Sequence, residues 1–376
     1  MADNRKIRIL QVFGSLDMGG AETRMMDVFR HLNHEKYAFD FLVFQTKQQY
    51  YEDEIIKLGG KVWKCNPPSI EKILSVVRQV RRVLRAGHYD AVHAHVSYFC
   101  GIVMYAAMKE HIQVRICHAR TAGSMRGGVT YRINEKIGKL LIKKYATHCL
   151  AVSKEAGSFL FDSQIYEVLP NAIDVKKIID ISNENIDEIA KQYELSKNLN
   201  IIGHIGRFDS VKNHDFILHW FHQYHELHEN AYLVLVGEGP LREQMMQMAD
   251  EMGLRDAIRF TGKTNRVYEL LHLFSVLILP SKYEGLPGVV LEAQAAGIPS
   301  VVSKNITQEV DMGLSLVKWC NLEYADWSNT VDSCIYLETP DKSKIIKAFN
   351  EKHFSIDYLV DKLEKIYEGL PQEGLL

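Results

Sequence analysis

Residues 179–200 read IDISNENIDEIAKQYELSKNLN, a polar, Asn-rich stretch between two longer stretches of a different character. On its N-terminal side, apolar runs alternate with helical spacing. IRILQVF (7–13), FDFLVF (39–44), KVWKC (61–65), DAVHAH (90–95), VRICHA (114–119) and HCLAVS (148–153) read as strands. Helical patterns fill 21–32, part of 51–58, roughly 70–86, 99–109 and 130–145. On its C-terminal side the alternation restarts. NIIGHIG (200–206), AYLVLVG (231–237), IRFTG (258–262), SVLILP (275–280) and SVVS (300–303) are separated by helical patterns at 213–229, 241–252, 265–272 and 288–296. The polar stretch is therefore a connector, with one short helix, between two doubly wound, Rossmann-like α/β domains, 1–175 and 176–355. Helical patterns at 341–352 and 356–368 close the chain. The apolar face of the last needs a partner, and packing of 356–376 back on the first domain is one option. Ligands of such sheets bind at the carboxyl ends of the strands. Two such domains facing each other define a cleft.

The 376 residues are 47% hydrophobic, enough to bury a large core in more than one domain. The net charge of −2 hides an asymmetry: residues 1–174 carry 25 basic and 17 acidic side chains, residues 175–376 carry 20 and 30. Opposite signs suit either two different partners or attraction between the halves. The opening MADNRKIRILQVFG is too short and interrupted in its apolar run for a signal peptide, and no stretch reaches transmembrane length. The six cysteines are scattered without a Cys-x-x-Cys pair and read as reduced core residues of a cytoplasmic protein. The histidine-rich HWFHQYHELH (219–228) reads as a solvated helix face rather than a metal cluster.

The chemistry belongs in the strand-end loops. GSLDMGGAETRMM (14–26) follows the first strand, and its glycines, including Gly19 and Gly20, let backbone amides at a helix start approach an anion. It lacks Gly-x-Gly-x-x-Gly, and Gln45 stands where a ribose-holding Asp or Glu would follow the second strand. HIGRFDSVKNH (204–214) places Arg207 and Lys212 just past a strand end, where two cations neutralise a diphosphate; no P-loop is present. LVLVGEGP (233–240) and RFTGKTNRVYELL (259–271) are further strand ends with glycine turns. The most informative loop is SKYEGLPGVVLEAQAAGIP (281–299). Glu284 precedes the breaker Gly285-Leu286-Pro287-Gly288, Pro287 suits a first helical turn, and Glu292 lies one turn into the helix that follows. Helix-start amides favour a phosphate, and a carboxylate on that helix suits a vicinal diol.

Glu-x7-Glu at 284–292, GRFDSVKN (206–213), VGEGP (236–240), FTG (260–262), VSKEA (152–156), LPNAID (169–174) and MGGAE (18–22) stand in the order found in retaining GT-B glycosyltransferases of family 4, and the chain resembles that family over nearly its whole length. It looks most like the enzymes of exopolysaccharide and capsule synthesis. The resemblance implies a first domain that takes the acceptor and a second that binds a nucleotide sugar, usually a UDP-sugar. Arg207 and Lys212 would hold the diphosphate, Glu292 the ribose, and Glu284 the donor sugar, with help from backbone amides around Gly285, Leu286, Pro287 and Gly288. Gly19 and Gly20 would approach the diphosphate, and His95 matches the family's cleft histidine near sugar and acceptor; from the residues alone it reads as a strand-end histidine packed in the core. Retention can proceed with the leaving phosphate assisting the incoming hydroxyl, so no protein nucleophile is assigned. No Asp-x-Asp motif occurs in these loops, which fits an enzyme without a metal or other cofactor. Ala172 stands where the family has Gly in LPNAID, so that turn must accept a Cβ, and SVVSKNITQEVDM (300–312) lacks the family's Gly-Gly-Ile-Pro-Glu run on the donor-sugar side.

The helix within 130–145, preceded by Arg126, combines Arg132, Lys136, Lys139, Lys143 and Lys144 with Leu140, Leu141 and Ile142. Such a surface suits peripheral docking on an anionic inner membrane face, and hence a lipid-linked saccharide acceptor; it suits plain solvation equally. No nucleic-acid partner is expected. Competing readings are a sugar-nucleotide epimerase of the same fold and a non-catalytic nucleotide-sugar-binding subunit. A nicotinamide oxidoreductase ranks last for want of the glycine fingerprint.

Overall fold

The computed structural model describes residues 5–17, 19–67, 73–121, 129–196 and 199–370, with the backbone alone at 129–130. It divides into two compact units, Met1–Ala172 with Ile356–Leu376, and Ile173–Ser355.

The first unit is built on strands β1 (Ile7–Phe13), β2 (Tyr37–Val43), β3 (Val62–Lys64), β4 (Ala91–Ala94), β5 (Val114–Ala119), β6 (His148–Ala151) and β7 (Glu167–Val168). They form one parallel sheet in the order β3-β2-β1-β4-β5-β6-β7. The second holds β8 (Asn200–Ile205), β9 (Ala231–Val236), β10 (Ile258–Gly262), β11 (Val276–Leu279), β12 (Ser300–Ser303) and β13 (Val317–Cys320), parallel in the order β10-β9-β8-β11-β12-β13. The strands read as continuous apolar runs because both faces of each sheet are covered by helices. Leu10 and Val12 enter one core of the first unit, Ile9 and Phe13 the other. In each sheet the strand order reverses direction beside its first strand, between β1 and β4 and between β8 and β11. Crevices at these switch points are where such sheets bind ligands.

The structure departs from the sequence expectation at the edges. Both β7 and β13, and the helices Lys154–Phe161 and Tyr324–Ile335, extend the two series beyond the predicted elements. These strands are short and border their sheets, so they carry little apolar signal. The connector holds the one helix expected, Asn183–Gln192, capped by Ser182 on Asn185 N (3.3 Å), and an unpredicted helix, Val175–Ile179, capped by the Asp174 carboxylate on Lys177 N (3.0 Å), leads into it. Their Ile178, Ile179 and Ile189 are buried in the second unit's core, while the Asn-rich faces meet solvent. Ala172 is buried and lies outside the left-handed backbone region, so the turn accepts its Cβ. At the end of the chain, the helix Ile356–Tyr367 buries Ile356, Leu359, Val360, Leu363, Ile366 and Tyr367 in the core that holds Ile9, Ala91 and Ile116 of β1, β4 and β5.

Candidate functional site

In the second unit, β8 and β11 are neighbours at the switch point, so the loops after them emerge side by side. They are tied together. Lys282 N donates to Val211 O (2.9 Å) and Asn213 Nδ2 to Pro280 O (3.2 Å). Asn213 takes a left-handed φ of 61°, which Asn tolerates, and turns the chain into the helix His214–Leu227. The Asp209 carboxylate accepts from Val211 N (3.0 Å) and Lys212 N (3.2 Å), fixing the turn from which Lys212 projects. Lys212 Nζ then meets Glu284 Oε1 in an ion pair that crosses the switch point, with side-chain exposures of only 18% and 16%. Ser281 Oγ donates to the same Glu284 oxygen (2.8 Å), and Ser303 Oγ holds the Ser281 carbonyl (2.6 Å). The β9 turn closes against this floor: Gly237 has φ 142°, and a Cβ there would lie 2.0 Å from Gly206 O, so only glycine fits.

Below the ion pair, His204 and His214 are buried with their rings 4.7 Å apart, and His214 stacks on Phe208 at 4.0 Å. Desolvation pushes His204 well below the usual imidazole range and His214 down to about 4, so both are neutral beneath Lys212. Arg207 is exposed, and its guanidinium makes no ion pair with a described residue. Glu292 is half-buried one turn into the helix Gly288–Ala295. Gly285 is exposed with open space around it, and Leu286 and Gly288 are half-buried. Pro287 corrects the sequence reading of the helix start. It is the residue before the helix rather than part of its first turn, and it has no N–H to offer. Val290 N turns back to Pro287 O (3.1 Å), which leaves Gly288 and Val289 as the helix-start donors without an acceptor in the helix.

In the first unit, Gly19 precedes the helix Gly20–His31 with no side-chain cap, and a Cβ on Gly20 would meet open space. His95 follows β4, stacked on Phe13 at 4.2 Å. It belongs to a larger polar cluster that sequence reasoning missed. Alternation along β4 sends His93 and His95 to one face, where Gln11 of β1 is the register partner of His93, and His118 of β5 joins them. His93 Nδ1 lies 2.9 Å from Tyr367 Oη, His93 Nε2 3.0 Å from His118 Nδ1, and His95 Nε2 3.0 Å from Gln11 Oε1. Gln11 Nε2 donates to Tyr367 Oη (3.0 Å), and Arg120 donates from Nε to His95 Nδ1 (3.1 Å) and from Nη1 to Asn171 Oδ1 (2.8 Å). The one signal in the sequence was the HAH of β4, two polar residues facing one way on a buried strand. Burial pushes all three imidazoles far down, and Arg120 down to about 10. The nitrogens of His93, His95 and His118 approach within 4.8 Å of one another, a cluster with metal-ligand chemistry. A cation there would compete with these hydrogen bonds and with the adjacent guanidinium.

The basic helix runs Val129–Tyr145. Ile142 is fully buried and Leu141 half-buried, so of the expected apolar trio only Leu140 faces out. The exposed stripe is Ile133, Ile137 and Leu140, flanked by exposed Arg132, Lys136, Lys143 and Lys144. Lys139 is half-buried against Glu135 and Asp162 (3.2 Å each), and Arg126 lies outside the described residues. The six cysteines are all buried and none is in a disulfide.

Residues 18–177 match the family described as Glycosyltransferase Family 4, and residues 185–311 match Glycosyl transferases group 1. EpsF of Bacillus subtilis (strain 168), named as a glycosyltransferase, is 32% identical over 370 residues, covering 96% of both chains. CapH of Staphylococcus aureus, a capsular polysaccharide biosynthesis glycosyltransferase, is 26% identical over 96% of this chain and 98% of its own. The crystal structure of Anabaena Alr3699/HepE in complex with UDP-glucose superposes with a TM-score of 0.77 at 16% identity, covering 97% of this chain and 100% of that one. Two Rossmann-like sheets, a family match to each half, and a relative this similar from end to end leave one assignment: the chain is a GT-B glycosyltransferase and belongs to family 4.

Proposed function

We propose that this protein transfers a sugar from a nucleotide sugar, a UDP-sugar, to a saccharide or lipid-linked saccharide acceptor in exopolysaccharide or capsule synthesis, with retention of anomeric configuration and without a metal ion. The observation that carries the proposal is the Lys212–Glu284 pair tied across the β8/β11 switch point, with the open helix start at Gly288 and Glu292 in the same loop–helix segment. The capsular role in CapH's name and the UDP-glucose held by HepE support the reaction class and the donor.

In this reading Lys212 and Arg207 carry the diphosphate, whose charge grows as the glycosidic bond breaks, and the Gly288 and Val289 amides add helix-start donors. Glu292 accepts hydrogen bonds from the ribose diol. Glu284, held by Ser281, is a positioning residue for donor-sugar hydroxyls; the leaving phosphate assists the acceptor hydroxyl on the same face. Those two cations and the amides supply the positive charge that a metal would otherwise bring. The first unit takes the acceptor, with His95 at its strand end. The exposed Ile133, Ile137 and Leu140 among basic residues make the helix Val129–Tyr145 the face that rests on anionic lipid.

A thermal-shift screen of nucleotide sugars with EDTA present tests the donor reading, because a ligand bound only by the folded state raises Tm. A rise with one UDP-sugar, unaffected by EDTA, is expected. Equal Tm values with every nucleotide sugar would refute it.

A further inference from the structure

Arg120, the residue after β5, carries a charge that the first unit does not balance. Its Nε donates to His95 Nδ1 (3.1 Å) and its Nη1 to Asn171 Oδ1 (2.8 Å), both neutral acceptors. A guanidinium has five N–H donors, so three, both on Nη2 among them, have no partner among the described residues. No carboxylate of those residues pairs with it. The imidazoles of His93, His95 and His118 offer no counter-charge either, being neutral through burial and in part through Arg120 itself. Desolvation brings Arg120 down to about 10, which still leaves it charged at neutral pH.

Glu22, the carboxylate that acts on Arg120 through space, is engaged elsewhere. It lies in the first turn of the helix Gly20–His31 and accepts from its own N–H, one of the helix-start donors without an acceptor in the helix. It also covers Gly19, where a Cβ would lie 2.2 Å from Glu22 Oε2. Of the two positive features in the first unit, the helix start therefore already faces a carboxylate, and the guanidinium does not. Arg120 is half-buried, and a charge in such a place costs stability unless it is paired. His95 and Asn171 nevertheless hold it in one plane. Arg120 and His95 directly follow the neighbouring strands β5 and β4, at their carboxyl ends, where such sheets bind ligands.

We propose that Arg120 is an anion-binding residue of the acceptor site, and that the acceptor brings a phosphate ester to it at the carboxyl ends of β4 and β5. A neutral saccharide would leave the charge unmet. A phosphate meets it with oxygens that match the planar guanidinium fork. The assignment rests on the reading above that the first unit takes the acceptor.

The test follows the Arg120 Nε–H signal in ¹⁵N spectra of the arginine-labelled full chain, identified by its loss in Arg120→Gln. The probes are N-acetylglucosamine 1-phosphate, N-acetylglucosamine and UDP. The sugar phosphate should shift the signal saturably, with excess UDP present as well as without it. The neutral sugar should leave it in place. Calorimetric titration with the sugar phosphate in excess UDP should show affinity about 10–100-fold weaker in Arg120→Gln, the worth of hydrogen bonds to a charged group. The Tm of that ligand-free variant should equal or exceed the wild-type value, because it removes a charge without a counter-ion and keeps an amide that can donate to His95 or Asn171. A signal that the sugar phosphate does not move would overturn the proposal. So would a signal that UDP alone moves to the same position, which would give the anion to the donor. Wild-type affinity together with a lowered Tm in Arg120→Gln would also overturn it, as the mark of a structural residue. The thermal-shift screen for the donor is independent of these spectra, so a failure at Arg120 and a failure of the donor reading are told apart.

Discussion

Glu284 Oε1 is shared by Lys212 Nζ and Ser281 Oγ, and that sharing separates what each side chain does. Lys212 is the cation that a diphosphate would draw on, whereas Ser281 holds Glu284 whether or not the lysine is engaged. Lys212→Ala should lower kcat by about 10²–10³, the usual loss when one preorganised charge partner of a developing anion is removed. It also strands a mostly buried carboxylate, so Tm should fall as well. Adding Glu284→Gln to Lys212→Ala should restore much of the Tm and none of the turnover. Glu292→Ala should instead weaken donor binding about 10–100-fold, the worth of hydrogen bonds to a charged group, with a small change in Tm. Steady-state kinetics and calorimetric titration with the UDP-sugar found by thermal shift separate the two variants. Wild-type values in both would refute the donor site.

The helix Val129–Tyr145 shows how one element serves two environments. Gly138 and Ile142 turn inward, where Gly138 meets the Tyr98 backbone so closely that a Cβ would lie 2.3 Å from Tyr98 O, while Ile133, Ile137 and Leu140 face out. Replacing both Lys136 and Lys143 with Ala should reduce sedimentation with anionic vesicles by roughly thirtyfold, at about 1 kcal/mol per lysine near the surface, and leave binding to neutral vesicles unchanged. Equal, negligible binding of the wild type to both vesicle types would dismiss the membrane face. This element also marks where sequence stops being legible. The helical period fixed its existence, but not which of Leu140, Leu141 and Ile142 would be covered, because that depends on neighbours supplied by other elements. The strands between them were readable because a sheet buried on both faces writes continuous apolar runs, as in VLIL of β11. β7 and β13 were not, being short border strands. Lys212 and Glu284 were legible as loop residues; their pairing with each other across 72 positions, and the whole His93–His118–Gln11–Tyr367 cluster, join residues up to 356 positions apart and leave no local pattern.

Across the molecule, each unit buries histidines at or beside its switch point: His93, His95 and His118 in the first unit, His204 and His214 in the second. Desolvation is the leading cause that holds every one of them below the ordinary imidazole value of 6.5. The sign follows directly. Above pH 6.5 these groups are neutral in both folded and unfolded chains and do not affect stability. Below it the unfolded chain binds protons that the folded chain refuses, so stability falls with falling pH. Each such histidine should cost about 1.4 kcal/mol between pH 7.5 and 5.5. Three in one unit is a sizeable part of the 5–15 kcal/mol that a domain typically has. Glu22, whose carboxyl burial pushes upward, works in the opposite sense as a single group. The Glu110 and Glu368 carboxyls, held down chiefly by hydrogen bonds from Arg85 and Lys36, withdraw their contribution only at lower pH. Thermal unfolding at pH 7.5 and 5.5 should therefore show a clear loss of Tm on acidification. The loss should be larger in the unit that holds His93, His95 and His118, read from hydrogen exchange of β1, β4 and β5 against β8 and β11. A Tm that stays level or rises toward pH 5.5 would mean that the buried imidazoles take up protons in the folded chain.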